Sequence, residues 1–531
     1  MVSPEAVRQC YNQVMTGNGP NYCNAKVTCE SNLNIQAWRK YEHIIREKDS
    51  TLVDQLAYGF TMGIDHNADI NIPLTNHLSA RNEPQVIDEF LTKHYKQKSM
   101  LGPYSTNPLP VPVYPSPLQV ATSASGKKRA VIDMSYPANK SVNSAIPRVW
   151  TEIQGFDGVF KLPTHDRICQ AIVSTPDPVM FITDCRGYYM QIPSDWRDTP
   201  YMVITWRKAI WLHRRLPFGC RSSCLHAQRV TDAVCLIFTR IHAAHLDGYV
   251  DDYVSVVTIV RSASAYAAFH GLLHELGVER SEEKDQTPHW LRIFLGLQYN
   301  LRDMLMSIPE DKVLRVVSSL HQWLEKHTCT KSQVQTLLGH FNHLAAVVHA
   351  GRPFMASLVD ILRQNQFPAP VTEDLKKDIN VWLTFLQSDF NGASIIKSQF
   401  HAVPDSVLTI AVNGQSCVIE CDGSMSAYML NTTEPFLPQK AMYTVATWLA
   451  VNKHSEKLRD SVIKVSVPTK TAAVIINRAK TDIKCIRTLL RQMWAKQAKY
   501  DYVITAIPQQ SNNFVRLYGV YHEFKIIKLP K

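Results

Sequence analysis

The sequence predicts a mixed α+β chain built from several domains, and three observations support that fold class. At 531 residues the chain is longer than one typical domain, so we expect several. Hydrophobic residues make up 45% and charged residues 19%, a balance that is typical of globular proteins. Short apolar runs of strand length and segments with helical periodicity both occur along the chain.

The net charge and the cysteine content indicate which kinds of partner and which cellular compartment to expect. The chain has 57 Lys and Arg against 46 Asp and Glu, and the net charge of +11 favours a polyanionic partner without requiring one. Its 12 cysteines include no Cys-x-x-Cys pair, so we expect reduced thiols. No signal peptide and no apolar run of membrane-spanning length are evident, so we expect a cytoplasmic or nuclear protein that is not secreted and has no membrane partner.

The first half of the chain alternates between strand and helix patterns. Residues 1–75 carry no functional signal. A dense run of prolines excludes helix and favours extended chain over residues 103–117. The predicted elements are a helix over 35–46, strands over 118–121, 129–133 and 179–182, and, after a second strand pair described below, a helix over 265–276.

The second half is first helical and then mixed. Residues 294–299 predict a strand, and residues 314–363 are mostly helical, with Thr330 and Gln333 forming a capping box. The last section predicts a separate α/β domain. Its predicted strands are 407–412, 416–421 and 462–467, and its predicted helices are 441–452 and 482–497.

Two adjacent carboxylates stand out against this background. Asp251 and Asp252 lie between two strand-like segments, so the pattern predicts a hairpin with both acids at its turn. Paired carboxylates at a sheet edge can bind divalent cations of several kinds. If Asp184, which follows the predicted strand 179–182, joins them from a neighbouring strand, the pattern predicts a two-metal site for phosphoryl transfer.

Further motifs surround these acids. In this order and spacing they resemble the reverse transcriptases, and within them those of DIRS-like retrotransposons, from about residue 75 to the end. The motifs are Lys-Arg-Ala-Val-Ile-Asp-Met-Ser-Tyr-Pro at 128–137, Phe-Ile-Thr-Asp at 181–184, Leu-Pro-Phe-Gly at 216–219, Tyr-Val-Asp-Asp at 249–252 and Phe-Leu-Gly-Leu at 294–297.

The resemblance implies a right-hand polymerase with fingers, palm and helical thumb, followed by an α/β domain similar to RNase H. It implies an RNA-directed DNA polymerase that extends a primer with dNTPs. Its partners would be an RNA template, a DNA or RNA primer and an RNA/DNA hybrid. The expected segments are 1–75 as an extension of unknown role, 76–178 as fingers with part of the palm, 179–305 as palm with an interleaved fingers segment, 306–397 as helical thumb or connection and 398–531 as the RNase H-like domain.

The resemblance also implies roles for individual residues. Asp184, Asp251 and Asp252 would bind two Mg²⁺ ions, with Mn²⁺ as an alternative, and Lys284 would donate a proton to the leaving pyrophosphate. Tyr189 would exclude ribonucleotides by a clash at the sugar 2′ position. The residues expected to bind the nucleotide are Lys127, Lys128, Arg129, Tyr189, Pro217, Gly219 and Tyr249.

Some positions depart from the family or leave two interpretations open. Tyr188 replaces a small residue, and Cys224 replaces a proline. Several basic side chains of the predicted thumb would either contact phosphates or line a polar helix face: His340, His343, His349 and Arg352.

The last domain keeps one of the acids that an RNase H site needs. Asp422 matches the first carboxylate, whereas Ala441, Thr469 and Leu517 stand where the others belong. One carboxylate cannot hold two metal ions, so we expect a degenerate domain that no longer cleaves.

Two alternatives to a reverse transcriptase remain. A scaffold derived from a retroelement would bind nucleic acid without polymerising it. Against it, three clustered carboxylates repel one another, which costs stability unless they have a function. A polymerase with RNA or untemplated products is the third possibility, and Tyr189 argues against ribonucleotides.

Overall fold

The computed structural model divides the chain into two compact units. The first comprises Met1–Pro163 and Val179–His289, and the second comprises Thr164–Pro178 and Trp290–Lys531. The five segments expected from the sequence are a finer division and stay a prediction. The structure describes residues 2–16, 31–73, 75–123, 126–148, 162–387, 393–396, 406–421, 423–431, 436–459, 461–479, 481, 483–500, 503–508 and 524–529.

A four-stranded sheet lies in the core of the first unit. Its strand order is Asp247–Tyr249, Asp252–Thr258, Pro178–Asp184 and Gln286–His289. The third strand is buried from Val179 to Ile182, as expected for a continuous apolar run in a sheet covered on both faces. The predicted strand and the predicted hairpin are therefore confirmed.

Two helices pack against this sheet and bury aromatic side chains. The helix Ser223–His242 contributes Phe238 and the helix Ser262–Leu276 contributes Phe269, whose ring centroids are 5.4 Å apart. Both side chains are fully buried, so each stabilises the unit by roughly 2 to 3 kcal/mol through apolar burial. The second helix matches the one predicted over 265–276.

The remaining elements of the first unit are mostly short. The predicted strands 118–121 and 129–133 form an antiparallel hairpin, and another three-stranded sheet has the order Met100–Tyr104, Ala209–His213, Val203–Trp206. The other elements are helices Pro4–Thr16, Ile35–Lys40, Glu42–Ile45, Leu52–Tyr58, Leu78–Asn82 and Pro84–Lys96, strands Leu118–Thr122 and Lys128–Ile132, and 3-10 turns Val142–Ala145, Tyr188–Gln191, Trp196–Tyr201, Ile259–Arg261 and Glu282–Lys284.

The helical character predicted around 35–46 is confirmed, and the structure divides it into two short helices that meet at Tyr41. The helix Ile35–Lys40 ends at Tyr41, whose hydroxyl donates to Glu275 at 2.9 Å. The indole N–H of Trp38 donates to the carbonyl of Leu276 at 3.0 Å. Contacts with the end of a distant helix accompany the break, and local periodicity does not register such contacts.

The structure divides the strand predicted over 294–299 into two strands, which meet in a tight hairpin at the Phe-Leu-Gly-Leu motif. Phe294 pairs with Leu297, and the two residues between them both have positive φ, 47° at Leu295 and 75° at Gly296. A two-residue loop with two positive φ values is the turn that matches the twist of antiparallel strands. In this apolar run, Gly296 is the residue that favours a turn.

The second unit continues with helices and ends in a six-stranded sheet. The capping box at Thr330 and Gln333 is confirmed. The helices are His165–Ser174, Glu310–Leu324, Lys331–Leu344, Ala356–Gln364, Glu373–Gln387, Gln439–His454, Lys470–Arg478 and Lys484–Tyr500, with a 3-10 segment at His349–Met355. The strands before the six-stranded sheet are Leu291–Phe294, Leu297–Asn300, Leu305–Ser307, Thr328–Cys329, Ala369–Pro370 and Ala393–Ile395.

The α/β pattern predicted for the last section is confirmed in its described residues. Three antiparallel strands form the middle of the sheet, and parallel strands extend it on both sides. The strand order is Val503–Pro508, Val462–Val467, Ser406–Asn413, Ser416–Cys421, Ser424–Leu430, Lys525–Ile527. Of the helices that the structure describes in either unit, none has the length and hydropathy needed to cross a membrane.

Candidate active site

The turn that carries the paired acids has an unusual backbone. Tyr249 pairs with Asp252 across the hairpin, which leaves Val250 and Asp251 as the turn residues. Val250 has φ of 56°, a left-handed conformation that is rare and costly for a β-branched residue. Both carboxylates are half-buried. Surrounding contacts must therefore hold this turn in place.

Asp184 lies beside these acids, as expected for ends of neighbouring strands. It is the last residue of Pro178–Asp184, which neighbours the strand that begins at Asp252. The N–H of Cys185 donates to the carbonyl of Asp251 at 2.9 Å, which ties the strand end to the turn. The structure therefore brings Asp184, Asp251 and Asp252 together, and their catalytic role stays a prediction.

Lys284 is the cation of this cluster. Its Nζ lies 2.9 Å from Oδ1 of Asp184, and the backbone N–H of Ser281 donates to the carbonyl of Asp184 at 2.7 Å. The hydrogen bond with Asp184 raises the pKa of Lys284, so the side chain stays protonated. Its side chain is 60% exposed, which leaves it free to move toward a ligand.

The carboxylates carry more negative charge than one lysine balances. Burial raises the pKa of Asp252 to about 6, and the charges of Asp251 and Asp184 add to the rise. Burial also raises the pKa of Asp251, and the charge of Asp184 contributes. A group of desolvated like charges favours whatever cation can approach it.

The donor atoms are suited to a hard divalent cation. Asp184 and Asp251, with Asp252 beside them, offer the carboxylate oxygens that Mg²⁺ prefers. Within the described ranges, no three His, Cys, Asp or Glu side chains are already grouped around one cation position. The ion pair with Lys284 balances part of the charge, so cation binding would compete with it.

A buried polar network under the hairpin was not expected from the sequence. Gln228 accepts the N–H of Val250 at 2.8 Å and donates to the carbonyl of Gly248 at 2.9 Å, and it is fully buried. Thr231, one turn further along the helix, donates to the carbonyl of Val250. The helical spacing of these two polar residues on a buried face was the signal that could have found them.

Tyr188 belongs to the same network. Its hydroxyl lies 3.1 Å from the hydroxyl of Tyr253 and 3.0 Å from that of Thr231. All three side chains are fully or almost fully buried. The residue that departs from the family pattern is therefore packed and hydrogen-bonded beneath the turn, and it leaves no unpaired polar group.

Aromatic rings flank the acids. Tyr189 packs edge-on against Phe218, with ring centroids 4.6 Å apart, and Phe218 is 51% exposed. Burial raises the pKa of Tyr189, and Cys224, Asp251 and Tyr249 also raise it, so the hydroxyl is in electrostatic reach of the turn. An exposed ring beside a half-buried one forms a surface on which a base or sugar could pack.

The turn at 217–219 is fixed by close backbone contact. Gly219 has φ of 100°, and a Cβ on it would lie 2.4 Å from the carbonyl oxygen of Ile132. Asn143 donates to the carbonyl of Gly219 at 2.7 Å and accepts the N–H of Arg221 at 2.8 Å. Ser223 donates to the carbonyl of Pro217 at 2.8 Å. Glycine is therefore required at 219, and Asn143 is a positioning residue that the sequence argument did not identify.

The basic turn of the first unit is not joined to the acids. Lys127, Lys128 and Arg129 are exposed at the start of the strand Lys128–Ile132, and Lys128 pairs with Glu83. In the described part of the chain no hydrogen bond or ion pair links them to the three carboxylates. Their expected role in triphosphate binding stays a prediction.

The three histidines predicted to contact phosphates or line a helix face fall into two groups. Two of them bond to backbone carbonyls, and one is exposed. His343 bonds to the carbonyl of Leu295 at 3.0 Å, and His349 bonds to that of Ala346 at 2.7 Å. Burial lowers the pKa of His349 to about 3, so it is neutral and unsuited to phosphate. His340 is exposed and remains available.

The positions of the expected RNase H acids are only partly described. Asp422 and Leu517 lie outside the described residues. Ala441 is fully buried in the helix Gln439–His454, and Thr469 caps the helix Lys470–Arg478 by accepting the N–H of Ala472 at 3.2 Å. Neither of these two positions can contribute a carboxylate.

Comparison with known proteins establishes the fold and nothing finer. No family model and no curated protein matches the chain. Foamy viral protease-reverse transcriptase with an RNA/DNA hybrid matches with a TM-score of 0.50 at 13% identity, over 99% of this chain and 65% of that chain. The same viral protein with double-stranded DNA gives 0.48 at 13% identity, over 95% and 98%. The chain therefore has a reverse-transcriptase-like fold.

Proposed function

We propose that this chain is an RNA-directed DNA polymerase that extends a primer 3′-hydroxyl with dNTPs. The observation that carries the proposal is the meeting of Asp184 with Asp251 and Asp252 at neighbouring strand ends, with Lys284 bonded to Asp184. Phosphoryl transfer needs this combination, because charge on the phosphates must be neutralised at fixed positions.

The proposed mechanism assigns each group one task. Asp184 and Asp251, assisted by Asp252, would hold two Mg²⁺ ions, or Mn²⁺ in their place. Such ions lower the pKa of the primer hydroxyl and neutralise the leaving pyrophosphate when bound. Lys284 would give its proton to the pyrophosphate oxygen as the bond to the α-phosphate breaks. The buried polar network under the hairpin keeps the carboxylates in position during this step.

The nucleotide would be held by residues around the acids. Arg129, with Lys127 and Lys128, would contact the triphosphate, because exposed cations at a strand start can reach an anion. Tyr189 would pack against the sugar and exclude a 2′-hydroxyl, and Tyr249 would lie on the primer side. The Pro217–Gly219 turn would support the templating base. Template pairing, not the protein, would choose each base.

We extend the proposal to the layout and the partners. The segments 76–178, 179–305 and 306–397 would be fingers, palm and thumb of a DIRS-like reverse transcriptase. The segment 398–531 would be an RNase H-like domain that no longer cleaves, which is supported by Ala441 and Thr469 at two expected acid positions. The partners would be an RNA template, a DNA or RNA primer and their hybrid, and the foamy viral structure with a hybrid lends support.

Primer extension on an RNA template with dNTPs and Mg²⁺ tests the polymerase. We expect Asp184→Asn and Asp251→Asn to reduce extension at least 1,000-fold, on the order expected for loss of a metal ligand. Glu89→Gln removes an exposed carboxylate elsewhere and is the matched control. In the same samples Mg²⁺ should raise the melting temperature of the wild type more than that of Asp251→Asn.

Two results would contradict the proposal. A wild type that binds primer and template but does not extend them would favour the non-polymerising scaffold. Full activity in Asp251→Asn would remove the site assignment. For the last domain, Mg²⁺-dependent cleavage of an RNA/DNA hybrid that is lost in Asp422→Asn would overturn the expected loss of RNase H activity.

A further inference from the structure

A cavity of about 490 Å³ lies inside the second unit, and none of the residues that line it belongs to the proposed polymerase site. It is bounded by the helices Lys331–Leu344 and Ala356–Gln364 and, further along the chain, by Arg478, Ala479, Thr481 and Arg487. Its volume is in the range of small-molecule sites. Apolar side chains form much of its wall, among them Leu338, Ala345, Pro353, Met355 and Val359.

The charged side chains of this cavity are unbalanced. Among the described residues of the wall, Arg352, Arg363, Arg478 and Arg487 stand against one acid, Asp360, which is an excess of three positive charges. Asp360 is already engaged, because Arg487 donates to it at 2.6 Å. Arg363 also lies 3.9 Å from Asp360, so this one carboxylate is shared by two arginines and the wall keeps a net positive charge that favours a polyanion.

Arg352 is the residue that points most clearly to a ligand. Its guanidinium donates to the carbonyl of Asn477 at 3.2 Å and lies 5.9 Å from the ring of Trp494. Among the described residues it has no carboxylate within ion-pair distance. Burial lowers its pKa, and the distant charge of Asp166 offsets only part of that shift. A desolvated guanidinium with one hydrogen bond is costly, and an anion in the cavity would satisfy its unused donors.

Arg478 adds a second available cation at the rim. It is exposed at the end of the helix Lys470–Arg478, and no hydrogen bond or ion pair engages its side chain within the described ranges. Arg487, by contrast, is held by Asp360 and by the carbonyl of Thr481 at 2.8 Å. The half-buried Arg352 in the wall and the exposed Arg478 at the rim suit a ligand that has several charges.

We propose that this cavity is a second ligand site, which binds the phosphates of a nucleotide-sized anion on its arginines and an apolar or aromatic body on its wall. Excess positive charge favours a di- or triphosphate over a single carboxylate. The same chemistry is offered by a free nucleoside triphosphate and by a nucleic-acid strand, and the experiment separates the two. The proposal does not depend on polymerase activity.

Isothermal titration calorimetry of the full chain in EDTA tests the proposal. The probes are ATP, adenosine, inorganic pyrophosphate and a twelve-nucleotide single strand. We expect ATP to bind at least tenfold more tightly than adenosine or pyrophosphate, because only ATP has both the phosphates and the aromatic body. If the oligonucleotide binds more tightly than ATP, and the cavity variants weaken its binding equally, the site is confirmed and its ligand is a nucleic-acid strand.

Matched variants locate the binding. Arg352→Met removes a desolvated charge and keeps volume, so the fold should persist, and Arg478→Ala removes an exposed charge. Each should weaken ATP binding at least tenfold. Arg459 is an exposed arginine outside the cavity, and Arg459→Ala should leave the affinity for ATP unchanged. Asp184→Asn with Asp251→Asn should also leave it unchanged. Undetectable binding at millimolar ATP, or wild-type affinity in both cavity variants, would overturn the proposal.

Discussion

The side-chain oxygen of Gln228 accepts the backbone N–H of Val250 at 2.8 Å, so a helix residue holds the turn that carries the paired acids. The same side chain donates to the carbonyl of Gly248 at 2.9 Å on the other side of the turn. A left-handed Val250 is thus kept in place by hydrogen bonds that no solvent molecule needs to supply.

Replacing Gln228 with Leu should lower both stability and catalysis. Two buried backbone groups would lose their partners, which costs about 2 to 4 kcal/mol in total. We expect the kcat of primer extension to fall about tenfold or more while KM for dNTP changes little. The carboxylates would move out of position, whereas the residues that contact the dNTP would stay in place. Urea unfolding and single-turnover extension measure the two effects. An unchanged kcat in a destabilised variant would show that the network is only structural.

Lys284→Ala should reduce catalysis without affecting folding. The pair with Asp184 is mostly exposed on the lysine side, so its contribution to stability is small. Loss of the proton donor should lower kcat roughly 10- to 100-fold. Lys284→Arg keeps the charge and should retain more activity than Ala, while Lys140→Ala, another exposed lysine with an acidic partner, should have no effect.

Tyr189→Ala should relax the choice of sugar. Removing the ring that packs against Phe218 opens space beside the acids, so we expect ribonucleotide incorporation relative to deoxynucleotide to rise at least tenfold, by roughly the 1 to 3 kcal/mol that one steric contact supplies. Parallel extensions with CTP and dCTP measure the ratio. Tyr189→Phe keeps the ring and should keep the discrimination. A ratio unchanged by Ala would exclude the proposed role.

Stability should fall in mild acid, and His94 and His213, two buried histidines of the first unit, contribute to that loss. Burial lowers the pKa of His94 to about 4 and that of His213 to about 3. The unfolded chain binds these protons below about pH 6.5, whereas the folded chain does not bind them until about pH 4. Stability is therefore full above pH 6.5 and is lost as the pH falls from there toward 4.

Urea unfolding at pH 7.5 and 5.5 measures this loss, which we expect to be about 1 kcal/mol for each histidine. His213→Gln should reduce the difference by about 1 kcal/mol, which is the share of this one histidine. His274→Gln changes an exposed histidine and is the control. Equal stability of the wild type at the two pH values would contradict the assignment.

The sequence predicted those parts of the site that depend on local pattern. Asp184 follows an apolar run and Asp251 lies between two strands, so their positions at strand ends followed from hydrophobic periodicity. Gln228 was out of reach, because its importance arises only when a helix packs beneath a distant turn. The break at Tyr41 has the same origin, since Glu275 and Leu276 supply the contacts around it. Tertiary contacts, not local propensity, decide these positions.

Gly219 packs closely against the backbone of Ile132, so these two segments, which are distant in sequence, must move together. The turn that carries Phe218 cannot shift without moving the strand that begins at the basic residues. A methyl group added at 219 would thus change the spacing between the aromatic pair and the cationic turn, although it touches neither. In a functional screen such a variant would be taken for a loss of nucleotide affinity, whereas its cause would be a displaced strand.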